Sequence, residues 1–178
     1  LSIKDITYSS IFAALIIVLS YVSVPLPFSP VPVTGQSLAI MLAGSILTTR
    51  QASLSVLTFL FLGIVGVPVF AGGTAGIGAI LGPRGGYLIG FLVGVIVISL
   101  LKGKVNKLSR LSIANTIGGI VVVYTFGVIW LSVVTGMELN QAFATGALPF
   151  IPGDIIKVVI ATPLALAINE RISTVITV

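Results

Sequence analysis

The chain has 178 residues, 57% of them hydrophobic and only 7% charged, with a formal net charge of +5. Soluble domains carry about a quarter charged residues, so this composition argues against a water-soluble fold. The sequence contains no histidine and no cysteine, which removes disulfides, the usual zinc and haem ligand sets, and Ser-His-Asp or Cys-His nucleophiles.

In lipid, every backbone amide must be paired within a helix or a closed barrel. The apolar runs lack the two-residue alternation of barrel strands, which leaves helices. Six stretches, separated by Pro/Gly clusters and charges, predict an all-α integral membrane protein: a bundle of six short transmembrane helices at about 6–24, 34–49, 52–69, 85–101, 111–135 and 152–169, forming one membrane domain over 1–178. Several are shorter than the ~20 residues that cross a bilayer core unaided. Short or Pro/Gly-interrupted spans beside a pocket are typical of transporters.

The first stretch is long for a signal-peptide core and is followed by many similar segments, so it reads as a retained span. Near its start, Ser9 with Ala13 and Ser10 with Ala14 form small-xxx-small pairs, which either seat a partner helix or pack inside the bundle. Seven of the nine basic residues lie in alternate connections: Lys4, Arg50, Lys102, Lys104, Lys107, Arg110 and Arg171. That is a positive-inside pattern and puts both termini in the cytoplasm. The connections on the outward side, 24–33, 67–83 and 135–151, hold Arg84 at their edge, Glu138 and most of the prolines. Irregular backbone of this kind is tolerated where it is buried in protein or lines a cavity, so the outward end is the candidate for a ligand site.

Three charges sit within or at the edge of apolar segments. Arg84 follows Gly82 and Pro83 at the start of the fourth helix, an end that disfavours cations, so an anion should compensate it: Asp154, Glu138 or a bound carboxylate. An Arg84–Asp154 salt bridge that merely ties two helices is the structural alternative. Asp154 and Lys157 are three apart and share a face of the sixth helix, with Asp154 in its dipole-favoured first turn. A charge at the bilayer centre costs about 2.5–3.5 kcal/mol, so both should face the bundle interior or a wet cavity. Gly82, Gly86, Gly90 and Gly94 recur every four residues and predict close helix packing. Gly72, Gly73, Gly76 and Gly78 predict an irregular loop whose backbone amides can approach a ligand. The aromatics Phe28, Phe70, Tyr87, Trp130 and Phe150 read as an interfacial belt or a pocket wall, with belt or core preferred for Trp130.

The segments VPVTGQSLAIMLAG (31–44), GVPVFAGGTAGIGAILGPRGGYLIGF (66–91) and PFIPGDIIKVVIA (149–161) together resemble the BioY family, the biotin-specific substrate-binding (S) components of energy-coupling factor (ECF) transporters. The resemblance implies a six-helix protein of the bacterial cell membrane that captures biotin from outside and hydrolyses no ATP itself. It implies as partners a transmembrane scaffold subunit and two cytoplasmic ATPases. The first-helix scaffold contact of similar proteins often uses an Ala-xxx-Ala pattern, where this chain has Ser9/Ala13 and Ser10/Ala14. By resemblance and chemistry, Asp154 would accept from a ureido N–H, Lys157 would donate to the ureido oxygen or hold Asp154, and Arg84 would take the tail carboxylate. Thr34, Gly35, Gln36, Phe70, Ala71, Gly72, Gly73 and Tyr87 are the next pocket candidates. No catalytic residue, metal, cofactor or nucleic-acid partner is expected. The alternatives are an S component for another vitamin, a proton-coupled secondary transporter using Asp154 as a relay, and a purely structural membrane subunit.

Overall fold

The computed structural model describes residues 2–103 and 107–176, with side chains described as far as Ile172. Helix α1, Ile3–Tyr21, starts at a capping box in which Ser2 and Asp5 exchange side-chain to backbone hydrogen bonds. A two-residue hairpin follows, with β1 (Ser23–Val24) antiparallel to β2 (Val33–Thr34), so the proline-rich 24–33 connection is a pinned flap at its base. Helices α2 (Gln36–Ile46) and α3 (Thr49–Ile64) come next, then a 3-10 turn at Ala71–Gly73, short α4 (Ile77–Leu81) and α5 (Gly85–Leu101). The next long helix is α6 (Leu108–Thr116), a π-helical segment (Ile117–Val122) and α7 (Val123–Thr135) in succession. Short α8 (Leu139–Gly146) and long α9 (Ile151–Ile176) follow.

The helix bounds differ from the apolar stretches where a cap intervenes. Arg50, expected to follow the second helix, lies in the first turn of α3, because Leu47 is extended and Thr48 with Gln51 forms a second capping box. The third stretch ends early, at Ile64, since Gly66 takes φ +104° and Pro68 follows. Three helical runs, Ile3–Tyr21, Leu108–Thr135 and Ile151–Ile172, are long and apolar enough to cross a membrane, and α2, α3 and α5 are shorter apolar helices. Many large apolar side chains, among them Val18, Phe61, Leu100, Val133 and Val159, are exposed, as a lipid-facing surface requires.

The core is built around α2, whose Ile40, Met41 and Ala43 are fully buried with Ile16, Val56, Phe59, Val95, Ile98 and Ala161 from four other helices. Glycines set the spacing beside it, as expected of Gly86, Gly90 and Gly94; Gly82, the first of the repeat, lies before α5 and caps α4 instead. A Cβ on Gly86 would lie 2.3 Å from Trp130 Cβ, and one on Gly94 would lie 2.5 Å from the Gly118 carbonyl oxygen. Helix α5 therefore rests backbone-to-backbone on the π segment and α7. Trp130 packs there too, donating from Nε1 to the Gly82 carbonyl at 2.9 Å.

One end of the bundle gathers the basic residues. Arg50 pairs with Asp5 at 3.8 Å, Arg110 donates to the Leu101 carbonyl at 2.8 Å, and Lys102 donates to the Leu47 carbonyl at the end of α2. Lys102 and Arg110 thus meet helix C-termini, where the dipole favours cations. Lys104 lies outside the described residues. On α1, Ser9 and Ala13 are buried, with Ser9 Oγ donating to the Gln51 carbonyl of α3 at 3.0 Å, whereas Ser10 and Ala14 are exposed. The first pair packs inside the bundle; the second is free on its surface.

Candidate functional site

At the end of the bundle opposite the basic residues, the flap, the 70–74 turn and the starts of α2, α5 and α9 enclose a cavity with an empty volume of about 670 Å³, its open mouth included. Its polar groups are Thr34, Gln36, Ser37, Thr74, Arg84, Tyr87, Tyr124, Asp154 and Lys157, and its apolar walls include Val31, Phe70, Leu88, Phe91 and Phe150. Eight of the eleven expected substrate residues line it: Thr34, Gln36, Phe70, Ala71, Arg84, Tyr87, Asp154 and Lys157. Gly35, Gly72 and Gly73 do not, and each has a structural task instead. A Cβ on Gly35 would lie 2.9 Å from the Leu19 carbonyl oxygen, so this residue admits α1. Gly72 and Gly73 take φ +69° and +76°, a left-handed pair that turns the chain and presents Phe70 and Ala71 to the cavity.

The buried polar cluster is organised by Asp154, which is 5% exposed. Its Oδ1 accepts from Lys157 Nζ at 2.7 Å and from Ser37 Oγ at 2.9 Å, and its Oδ2 accepts from the Tyr124 hydroxyl. Lys157 Nζ also donates to the Thr34 carbonyl at 2.7 Å and to Ser37 Oγ at 2.8 Å. An ammonium has three N–H bonds, and all of those of Lys157 are engaged inside the protein. The carboxylate offers about four acceptor positions and has three donors, which leaves one position on Oδ2 for a ligand N–H. The ion pair is therefore neutral and nearly saturated, the condition under which two charges persist inside an apolar bundle.

Gln36 is the complement of this arrangement. Its Oε1 accepts from Thr34 Oγ1 at 3.3 Å, but its Nε2, buried on the cavity wall, is the one buried side-chain polar atom without a partner among the described residues. An orphaned buried donor costs about 1–3 kcal/mol, and a ligand carbonyl would relieve it.

Arg84 does not form the salt bridge that was the structural alternative. Among the described residues it pairs with neither Asp154 nor Glu138; its Nε and Nη1 reach the Pro30 and Ala71 carbonyls, each at 3.5 Å. Both are long contacts, and three of the five guanidinium N–H bonds remain for a ligand anion at the mouth. Asp154 satisfies itself deeper in the cavity with Lys157, Ser37 and Tyr124, so it has no need of Arg84. Glu138 is exposed at the start of α8 and does not line the cavity. Tyr87 closes the wall, donating from its hydroxyl to the Gly146 carbonyl at 2.8 Å and stacking edge-on against Tyr124 with ring centroids 6.3 Å apart.

Ser37 and Tyr124 are the polar residues that sequence reasoning passed over. A lone hydroxyl in an apolar helix costs too little to announce a site. The available signal was spatial: Ser37 adjoins Gln36 on the first turn of α2, the segment already singled out.

A family model of the BioY family matches residues 1–174. A biotin transporter BioY of Rhizobium etli is 37% identical over 177 residues, covering 94% of each chain. One from Rhodobacter capsulatus is 39% identical over 182 residues, again with 94% of each chain covered. Among solved structures, the S-component for biotin from an ECF-type ABC transporter superposes with a TM-score of 0.88 at 33% identity, covering 94% of this chain and 92% of that one.

Proposed function

Because the chain belongs to the BioY family, we propose that it is the high-affinity biotin-binding membrane subunit of an ECF-type importer, capturing biotin from outside for uptake driven by partner ATPases. The observation that carries this reading is the layout of the cavity: a guanidinium with three of its five N–H bonds open at the mouth, apolar walls, and an acceptor and a donor at the floor. Biotin has a carboxylate tail, an apolar thioether ring and a ureido ring with two N–H donors and one carbonyl acceptor. Arg84 takes the carboxylate. The open position on Asp154 accepts a ureido N–H, and Gln36 Nε2 donates to the ureido oxygen. Lys157, with its own N–H bonds engaged, holds Asp154 in place.

In this reading six helical units (α1, α2, α3, α5, α6–α7 and α9) traverse the bacterial plasma membrane, both termini are cytoplasmic, and the basic end faces the cytoplasm. The scaffold subunit seats on α1 through the exposed pair Ser10 and Ala14, on the face left open by the buried Ser9 and Ala13. Two cytoplasmic ATPases supply the energy. The test is equilibrium binding of biotin to purified, detergent-solubilised protein without ATP or partners, with riboflavin and thiamine as controls. Saturable binding of biotin alone is expected; folded protein that binds none of the three, or binds another vitamin instead, overturns the assignment.

A further inference from the structure

Two of the hydrogen bonds between α9 and the helix carrying Tyr124 fix their register. Asn115 Nδ2 donates to Thr162 Oγ1 at 3.2 Å, and nine residues later the Tyr124 hydroxyl donates to Asp154. Both Asn115 and Thr162 are buried, and Asn115 also accepts from Ser45 Oγ at 2.9 Å, so this first contact is an anchor. An α-helix advances about 100° per residue, which places residues nine apart about 180° from each other, on opposite faces. A continuous α-helix anchored through Asn115 would turn Tyr124 away from α9.

The π segment Ile117–Val122 removes the conflict. A single π turn is an α-helix carrying one surplus residue. The nine-residue spacing then acts as eight, about 80° around the axis and about 12 Å along it. Thr162 and Asp154 are eight apart on α9, so the two pairs have the same axial spacing on the two antiparallel helices, and both hydrogen bonds form. Gly118 and Gly119 let the widened turn fit, since a Cβ on either would lie within 3 Å of Ile98 or Met41. Ser37 and Lys157 occupy Oδ1 of Asp154, and Tyr124 alone holds Oδ2, the oxygen with the open position.

We infer that Tyr124 is a positioning residue of the ligand site, orienting Asp154 toward a ligand N–H, and that the π turn at Ile117–Val122 is the register device that delivers it. The part concerning ligand rests on the biotin reading above; the register does not. Two measurements separate them.

The ligand arm compares biotin with an analogue methylated on both ureido nitrogens, in wild type and Tyr124→Phe. Biotin affinity should fall about tenfold in Tyr124→Phe, about 1.4 kcal/mol, while the weaker binding of the methylated analogue should be unchanged. A role confined to packing would lower both alike, and unchanged biotin affinity would likewise overturn the positioning role. No biotin binding by folded wild type would instead refute the biotin reading.

The register arm needs no ligand. Melting temperatures of Tyr124→Phe, Asp154→Asn and the double variant are measured with and without deletion of Val121, an exposed residue of the π turn. Deletion removes the surplus residue, so a continuous α-helix should deliver Tyr124 to the same place, and the two substitutions should stay non-additive in both backgrounds. Additive shifts after the deletion, or a deletion variant that does not fold, would overturn the register claim.

Discussion

Replacing Lys157 by methionine keeps most of the side chain's volume and removes the cation bonded to Asp154. The carboxylate would retain Ser37 and Tyr124 as donors but would be an uncompensated charge at a site 5% exposed, and the Thr34 carbonyl would lose its 2.7 Å donor. Breaking a buried ion pair by removing one partner costs about 3–5 kcal/mol. For a chain of this size, 1 kcal/mol corresponds to roughly 2–4 °C in Tm, so Lys157→Met should melt about 6–20 °C below wild type in detergent. Adding Asp154→Asn removes the stranded charge, and the double variant should recover at least half of that loss although neither variant regains ligand affinity. Melting curves of wild type, both single variants and the double variant in one detergent decide the matter. A Lys157→Met protein that melts within about 2 °C of wild type, or a double variant that melts as low as the single one, would refute the view that the pair is buried and mutually compensated.

Other expectations follow from neighbouring geometry. Gly86→Leu drives a side chain into Trp130 Cβ and the Phe126 carbonyl oxygen, which would lie 2.3 and 2.4 Å from a Cβ at this position, and should cost at least the roughly 1–3 kcal/mol typical of overpacking, read as a lowered Tm. Gly153→Ala, where a Cβ in α9 would meet nothing within 4 Å, is the control and should melt at or slightly above wild type, because alanine restricts the unfolded chain. Gln36→Leu removes the orphaned Nε2 and should leave the empty protein as stable as wild type or more so while weakening biotin at least tenfold; equal affinity by calorimetry would remove Gln36 from the site. Asn115→Ala strands the Ser45 and Thr162 hydroxyls in the core and should cost about 1–3 kcal/mol in thermal unfolding.

What could be read from sequence followed cost. Arg84, Asp154 and Lys157 are expensive in lipid, so their presence within apolar runs pointed to the cavity they line. The glycine repeat of α5 was legible for a similar reason, since a small residue every fourth position has few uses other than close packing. Ser37 and Tyr124 left no comparable trace, because a serine hydroxyl can bond to its own helix and a tyrosine suits an apolar or interfacial helix face, so only the tertiary fold shows that these two turn to Asp154. The π turn was hidden because hydropathy reads the same through Ile117–Val122 whether the helix is α or π. The choice between Ser9/Ala13 and Ser10/Ala14 on α1 had no sequence solution either: both pairs have the same spacing, and only the position of α3 decides which one is covered.

The most direct test of the account is the affinity of the purified protein for biotin, measured for wild type, Arg84→Ala and Arg84→Lys without ATP or partner subunits. Saturable biotin binding by wild type is expected, weakened at least tenfold in Arg84→Ala and only partly restored in Arg84→Lys, because an ammonium cannot reproduce the two-pronged contact of a guanidinium with a carboxylate. Folded wild type that fails to bind biotin, or an Arg84→Ala variant that binds it as tightly as wild type, would contradict the assignment of this cavity.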